Sequence, residues 1–311
     1  MYKLKQAPED FIVKEIFSPK VSDNGEYVYF TLKKKNYNTL DAIKAVARAL
    51  HIEEKNFGFA GSKDRNAVTT QLISLRTTKE QKIKQLETLK LNDIELKILG
   101  RAEKPISLGD HEGNEFMITI RNLDNIPKIK SEFINYFGEQ RFGRNNSEIG
   151  KSILKRDWKK AVELIDRKEV KEYIEKNPTD FTGAVKQTPK KLLSMYIHAY
   201  QSEIWNKVAE KVTCKEFSTP GFGIEEFDEK ADSLTRELIE EDKIGERDFI
   251  IREIPAIHTE GRVRERLAKA ANLEILFEGN DELNEGKNKI TIKFSLGKGS
   301  YATEFVTQSF T

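Results

Sequence analysis

One cysteine, Cys214, stands in a chain of 311 residues, which excludes an internal disulfide and a cage of thiolates around a metal. Histidine is scarce as well. His51, His111, His198 and His258 are far apart, and none pairs with another at the spacing a zinc site requires. No apolar run approaches the roughly 18 residues of a membrane-spanning helix. Residues Met1 to Pro8 lack the apolar stretch of a secretory leader, so a reducing cytoplasm is the expected location. A phosphate-cradling glycine loop and a nucleophile elbow are also missing, which leaves serine, cysteine and nucleotide-hydrolysing schemes without support. No cofactor motif is present, and none is expected.

Net charge is small, at +2, so the whole chain does not announce a polyanionic partner. The signs are nevertheless unevenly placed. Residues 225–242 are rich in Asp and Glu, whereas Lys33, Lys34 and Lys35, Arg141 and Arg144, and Arg262, Arg264 and Arg266 form basic clusters. A protein that binds RNA needs a basic face rather than a basic total. A solvated surface in a Lys- and Glu-rich chain gives the same pattern.

The pattern along the chain is α+β. β-Branched and aromatic runs predict strands at Phe11–Ile16 and Tyr27–Leu32, then near 67–75, at Ile94–Leu99 and at Phe116–Ile120. Asn38-Thr39 reads as the start of a helix through Leu50, with Leu40, Ile43, Val46, Ala47 and Leu50 on one face. A second helix is expected near 79–89. Strands at hairpin-like spacing point to a largely antiparallel sheet. After Gly143 helices dominate. The clearest runs from Lys190 to Val212, where Leu193, Ile197, Tyr200, Ile204 and Val208 recur at intervals of three and four. Met195, Tyr196 and Trp205 read as its core packing. Strand-like sequence returns at Leu273–Phe277 and Lys289–Leu296, followed by an apolar tail. A sheet domain interrupted by a mostly helical insertion is therefore expected.

Carboxylates are the remaining source of chemistry. The stretch Phe57-Gly-Phe-Ala-Gly-Ser-Lys-Asp-Arg-Asn-Ala67 puts small residues before a Lys63-Asp64-Arg65 triplet, and a strand follows at once. An acid flanked by cations at a strand start is poised for nucleophilic or base work. A surface turn with a capping Asp reads the same way. His111-Glu-Gly-Asn-Glu-Phe116 leads into another strand, where Phe116 is either core or a platform for an extruded base. Asn135-Tyr-Phe-Gly-Glu-Gln-Arg-Phe-Gly143 mixes aromatics, glycine and planar polar groups, which suits nucleotide contact or a turn with two aromatic anchors.

These residues resemble the TruD family of tRNA pseudouridine synthases. Gly61 to Gln71 is similar to its G-x-K-D-x-x-A-x-T-x-Q motif, and Asn135 to Gly143 to N-Y-F-G-x-Q-R-F-G. Lys5 to Glu15 resembles K-x-x-P-E-D-F-x-V-x-E, Gly113-Asn114 and Phe116 match G-N-x-F, and Gly299 to Thr303 fits G-S-[FY]-A-T. The motifs stand in family order from residue 5 to 303. The resemblance implies a pseudouridine synthase-type sheet domain (1–144 and 279–311) carrying a TruD-type insertion (145–278). It implies action on tRNA, usually at uridine 13, without a metal. It assigns Asp64 as the catalytic carboxylate, Lys5 beside it, and Phe116 against the target base with Asn114 in the pocket. Arg141 and Gln140 are expected to bind substrate, and Arg144 and Lys34 to meet phosphates. Two rivals remain at this level: a non-catalytic RNA-binding protein, and a Mg²⁺-dependent phosphodiesterase that uses Asp64, Asp110 and Glu112.

Overall fold

The computed structural model describes residues 1–223 and 226–310. The chain divides into two compact units. The first comprises Met1–Ser131, Lys269–Ala302 and Val306 onward; the second comprises Glu132–Ala268 with Thr303–Phe305. The sequence pattern set the division near 144 and 279. The strand Ala271–Asn280 explains the second difference, because it pairs with Asn288–Gly297 and so lies in the first unit's sheet. In the second unit, Phe137 meets Trp205 edge-on at 5.5 Å, which ties residues around 137 to that unit's core.

The first unit is a mixed sheet with helices. Its strands are β1 (Phe11–Ile16), β2 (Tyr27–Lys35), β3 (Phe57–Phe59), β4 (Val68–Arg76), β5 (Ile94–Ala102) and β6 (Gly113–Leu123), plus the two returning strands Ala271–Asn280 and Asn288–Gly297. The path runs from the first returning strand to the second, then β6, β1, β4, β2 and β5, with β3 also on β4. Every registered pair is antiparallel except β1 with β4. β6 packs so closely on Asn288–Gly297 that a Cβ on Gly113 would stand 2.4 Å from the Leu296 carbonyl oxygen. Only glycine fits there.

Helix α1 (Thr39–Leu50) starts where the sequence indicates, with the Asn38 side chain accepting from Asp41 N at 2.8 Å. Ile43, Val46, Ala47 and Leu50 are buried against Val28, Phe30, Leu32, Ile73 and Leu75. Leu40 is the exception, 58% exposed, because the helix turns the buried Thr39 inward instead. α2 (Glu80–Thr88) adds Leu86 to the same core. Arg121 of β6, 7% exposed, ion-pairs with Asp10 at 2.9 Å and Asp281 at 2.8 Å. This joins the turn before β1 to the link between the returning strands.

The second unit is mainly helical: α3 (Asn146–Leu154), α4 (Trp158–Leu164), α5 (Lys168–Lys176), α6 (Phe181–Lys186), α7 (Lys190–Ala209) and α8 (Glu229–Glu241). On α7 the stripe of Leu193, Ile197, Tyr200, Ile204 and Val208 is buried throughout. Trp205 stacks on Phe217 with centroids 4.8 Å apart, and Tyr196 is 6% exposed, so both are core residues. The apolar tail folds into a last helix, Ala302–Phe310, whose Ala302, Phe305 and Val306 are buried at helical spacing. No described helix is long and apolar enough to cross a membrane.

Candidate active site

Asp64 lies on the loop between β3 and β4, with its side chain 40% exposed. Lys5 Nζ donates to its Oδ2 at 2.5 Å. Lys5 has φ 54°, in the left-handed region that a non-glycine residue enters at a cost. Its carbonyl accepts from Asn66 Nδ2 at 3.1 Å, so the lysine and the loop hold each other.

The loop is anchored from beneath. Thr39 Oγ1 accepts from Lys63 N at 2.8 Å and donates to Gln71 Oε1 at 2.7 Å. Gln71 Nε2 in turn donates to the Gly61 carbonyl at 3.1 Å. Lys34, 1% exposed, donates Nζ to the carbonyls of Tyr37 at 2.5 Å and Asp64 at 2.9 Å. Lys34 is therefore not the surface phosphate contact that the sequence suggested. Burial pushes its pKa down to about 8, with the nearby Asp64 charge opposing the shift and Lys63 adding to it. Gly61 contributes no tight turn: its φ is not positive, and a Cβ there would meet Lys63 Nζ only at 3.8 Å.

Glu15 fills a gap in the sheet. β4 pairs along one edge first with β1, over Val68–Thr70, and then with β3, over Ile73–Leu75. At the junction Leu72 N donates to Glu15 Oε2 at 3.0 Å, and Lys63 Nζ donates to Oε1 at 2.6 Å. The motif residues on either side of Asp64 thus serve to hold its loop. Sequence reasoning did not single out Glu15, Thr39 or Gln71 as site residues. The available signal was that Glu15 and Gln71 close the two motifs.

Phe116 lies in the same unit. Register places Lys34, Thr69, Val13, Phe116 and Phe294 in one row across five strands, so these side chains share a face. Phe116 is 7% exposed, stacked on Phe294 at 5.4 Å and edge-on to Phe11 at 6.2 Å. Lys5 Nζ stands 4.2 Å over the Phe11 ring. Contacts therefore run from Asp64 through Lys5 and Phe11 to Phe116. On this face Thr69 Oγ1 and Asn114 Oδ1 are buried without hydrogen-bond partners, and such groups are costly unless a ligand or water completes them. A cavity of about 490 Å³ opens beside Glu15 and His111 but is not lined by Asp64.

Arg141 and Arg144 belong to the second unit, Arg144 exposed and Arg141 half-buried. The Gln140 side chain lies outside the described residues. Among the described residues no group of three or more His, Cys, Asp or Glu is placed to hold a metal, so Asp64, Asp110 and Glu112 do not form the ligand set of the phosphodiesterase reading.

Comparison with known proteins decides the family. A model of the family described as tRNA pseudouridine synthase D (TruD) matches residues 2–173, 164–220 and 211–308. The chain belongs to the TruD family. A Methanococcoides burtonii relative described as Probable tRNA pseudouridine synthase D is 31% identical, with 98% of this chain and 92% of the relative covered. An Aquifex aeolicus relative described as tRNA pseudouridine synthase D is 29% identical, with 99% and 98% covered. Among solved structures, the Methanosarcina mazei protein described as TruD superposes with TM-score 0.78 at 26% identity, covering 99% of this chain and 93% of that one. The α+β class read from the sequence agrees with this TruD fold. The match to the Methanococcoides relative runs over 409 positions against 311 residues here, so this TruD chain lacks roughly a hundred residues that its relative carries.

Proposed function

We propose that this TruD-family chain isomerises uridine to pseudouridine in tRNA, at position 13, with Asp64 as the catalytic carboxylate. In that reaction the N1–C1′ bond breaks, the base turns, and C1′ bonds to C5. C5 then gives up its proton and N1 gains one, so the product is an isomer of the substrate. Asp64 attacks C1′ or removes the 2′ proton; both routes need an accessible carboxylate at the sugar. The observation that carries the proposal is the Asp64–Lys5 pair, partly open to solvent on a loop whose backbone is tied down from below. Such preorganisation is how a site avoids rearranging during reaction.

Extrusion of the uridine costs a few kcal/mol and must be offset by contacts to the flipped base. Phe116 lies two strands from Thr69, about 10 Å at the usual sheet spacing. A base entering beside Asp64 would meet the remaining open edge of that ring. Asn114 Oδ1, buried and unpartnered, is suited to accept from the uracil N3–H. Incubation of unmodified tRNA with the protein in EDTA, followed by pseudouridine mapping, tests the reading. Pseudouridine at one position is the expected product. Intact, unmodified tRNA across several species would return the chain to an RNA-binding role, and strand scission in a parallel reaction with Mg²⁺, abolished by EDTA, to a nuclease.

A further inference from the structure

A second pocket, of about 430 Å³, lies wholly in the helical unit and takes no part in the chemistry above. Its wall carries three guanidinium groups, from Arg141, Arg262 and Arg264, against one carboxylate residue, Glu260. The charge imbalance is not local noise, because the donors there are also unsatisfied. Thr259 is 7% exposed, and its hydroxyl has no hydrogen-bond partner. Arg141 Nε is buried and equally unpartnered. A buried polar group left unpaired carries its full desolvation penalty. Among the described residues Arg262 makes no ion pair with a carboxylate.

Arg264 has a different part. Its Nε and Nη2 donate to the Asn135 carbonyl at 2.9 and 2.7 Å, and its guanidinium lies 4.1 Å over the Phe137 ring. It shapes the wall and adds charge. The field in the pocket is positive: His198, also in the wall, has its pKa lowered first by burial and then by Arg141 and Arg262. Cations, a lone hydroxyl and an excess of donors call for a ligand that only accepts hydrogen bonds. The planar fork of arginine matches the oxygens of a phosphate bidentately, and phosphate is the anion that an RNA backbone supplies.

We propose that this pocket seats one backbone phosphate of the bound RNA, contacted by Arg141, Arg262 and the Thr259 hydroxyl. The proposal rests on the tRNA-modifying reading of the chain and extends it to a docking site outside the catalytic unit.

The test is equilibrium binding of unmodified tRNA at several salt concentrations to the full chain carrying Asp64→Asn, alone and with Arg262→Gln or Thr259→Val. Arg262→Gln is expected to raise Kd about tenfold and to lower the slope of log Kd against log salt by about 0.7–0.9, the loss of one phosphate contact. Thr259→Val is expected to raise Kd by about threefold to tenfold with the slope unchanged, because the hydroxyl carries no charge. Unaltered Kd and slope in both variants would overturn the proposal. So would an Arg262-dependent rise in melting temperature with inorganic phosphate at constant ionic strength, if tRNA affinity did not change; the pocket would then hold a free anion. Product formation by the Asp64 enzyme is scored separately. Absence of pseudouridine alongside Arg262-dependent tRNA binding would refute the reaction and leave the phosphate seat standing.

Discussion

Lys5 places its ammonium 2.5 Å from the Asp64 carboxylate while its own backbone sits at a positive φ. The two side chains are 18% and 40% exposed, so solvent screens the pair and its worth to folding is small, about 1 kcal/mol or less. The geometry is instead suited to orienting the carboxylate and to neutralising charge as the reaction proceeds. Lys5→Met is therefore expected to leave the melting temperature almost unchanged and to lower kcat by about a hundredfold, the scale of a misplaced catalytic group. Single-turnover rates and thermal melts of the same preparation check this. A full-rate Lys5→Met enzyme would remove Lys5 from the site.

Phe116 is a core residue, and its proposed contact with the base separates from that role by choice of substitution. Its ring packs against Phe11 and Phe294 at 7% exposure, so Phe116→Ala is expected to cost about 3–5 kcal/mol of stability and to confound any activity reading. Phe116→Leu keeps most of the volume, at about 1.5 kcal/mol or less, but removes the aromatic face and edge. Turnover of the folded Phe116→Leu enzyme is expected to fall about tenfold, the scale of one lost stacking contact. Unchanged turnover with Leu would make Phe116 a core residue only.

Lys34 carries a pH signature. Its folded pKa of about 8 lies below the ordinary 10.5 because burial penalises the ammonium. Below about 8 both folded and unfolded chains hold the proton, and the burial penalty is present in full. Between about 8 and 10.5 the folded chain sheds the proton first, so this group's contribution to stability improves as pH rises through that window. Lys34→Met lacks the term. The difference in unfolding free energy between wild type and Lys34→Met is thus expected to shift toward wild type from pH 7 to pH 9.5 in denaturant titrations. A pH-independent difference would contradict it. In activity the direction is reversed: loss of the ammonium from the Tyr37 and Asp64 carbonyls loosens the loop, so wild-type kcat is expected to fall above pH 8.

The elements that residue periodicity determines were legible. β1, α1 and α7 begin where β-branched runs, the Asn38 cap and the α7 stripe place them. The family followed from the motifs, which also single out Asp64 as the candidate carboxylate. What escaped depends on contacts distant in sequence. Glu15 caps Leu72 N because β4 exchanges one neighbour for another along its edge, and Lys34 reaches the Asp64 carbonyl from the neighbouring strand β2. No local pattern reports that exchange. Leu40 was read as inward because it stands three residues before Ile43, but a polar residue with two partners, Thr39, took the inward position. The last helix was read as a tail because its apolar residues were too few to establish a period.

Asp64→Asn tests the central claim most directly. The substitution preserves shape and removes the charge from an accessible side chain, so fold and tRNA affinity are expected to survive while turnover drops by at least about 10³-fold. Pseudouridine mapping on unmodified tRNA, with Kd measured on the same protein, reads both at once. Pseudouridine from wild type, none from Asp64→Asn, and matching affinities support the carboxylate mechanism. Pseudouridine formed by Asp64→Asn at the wild-type rate would contradict it.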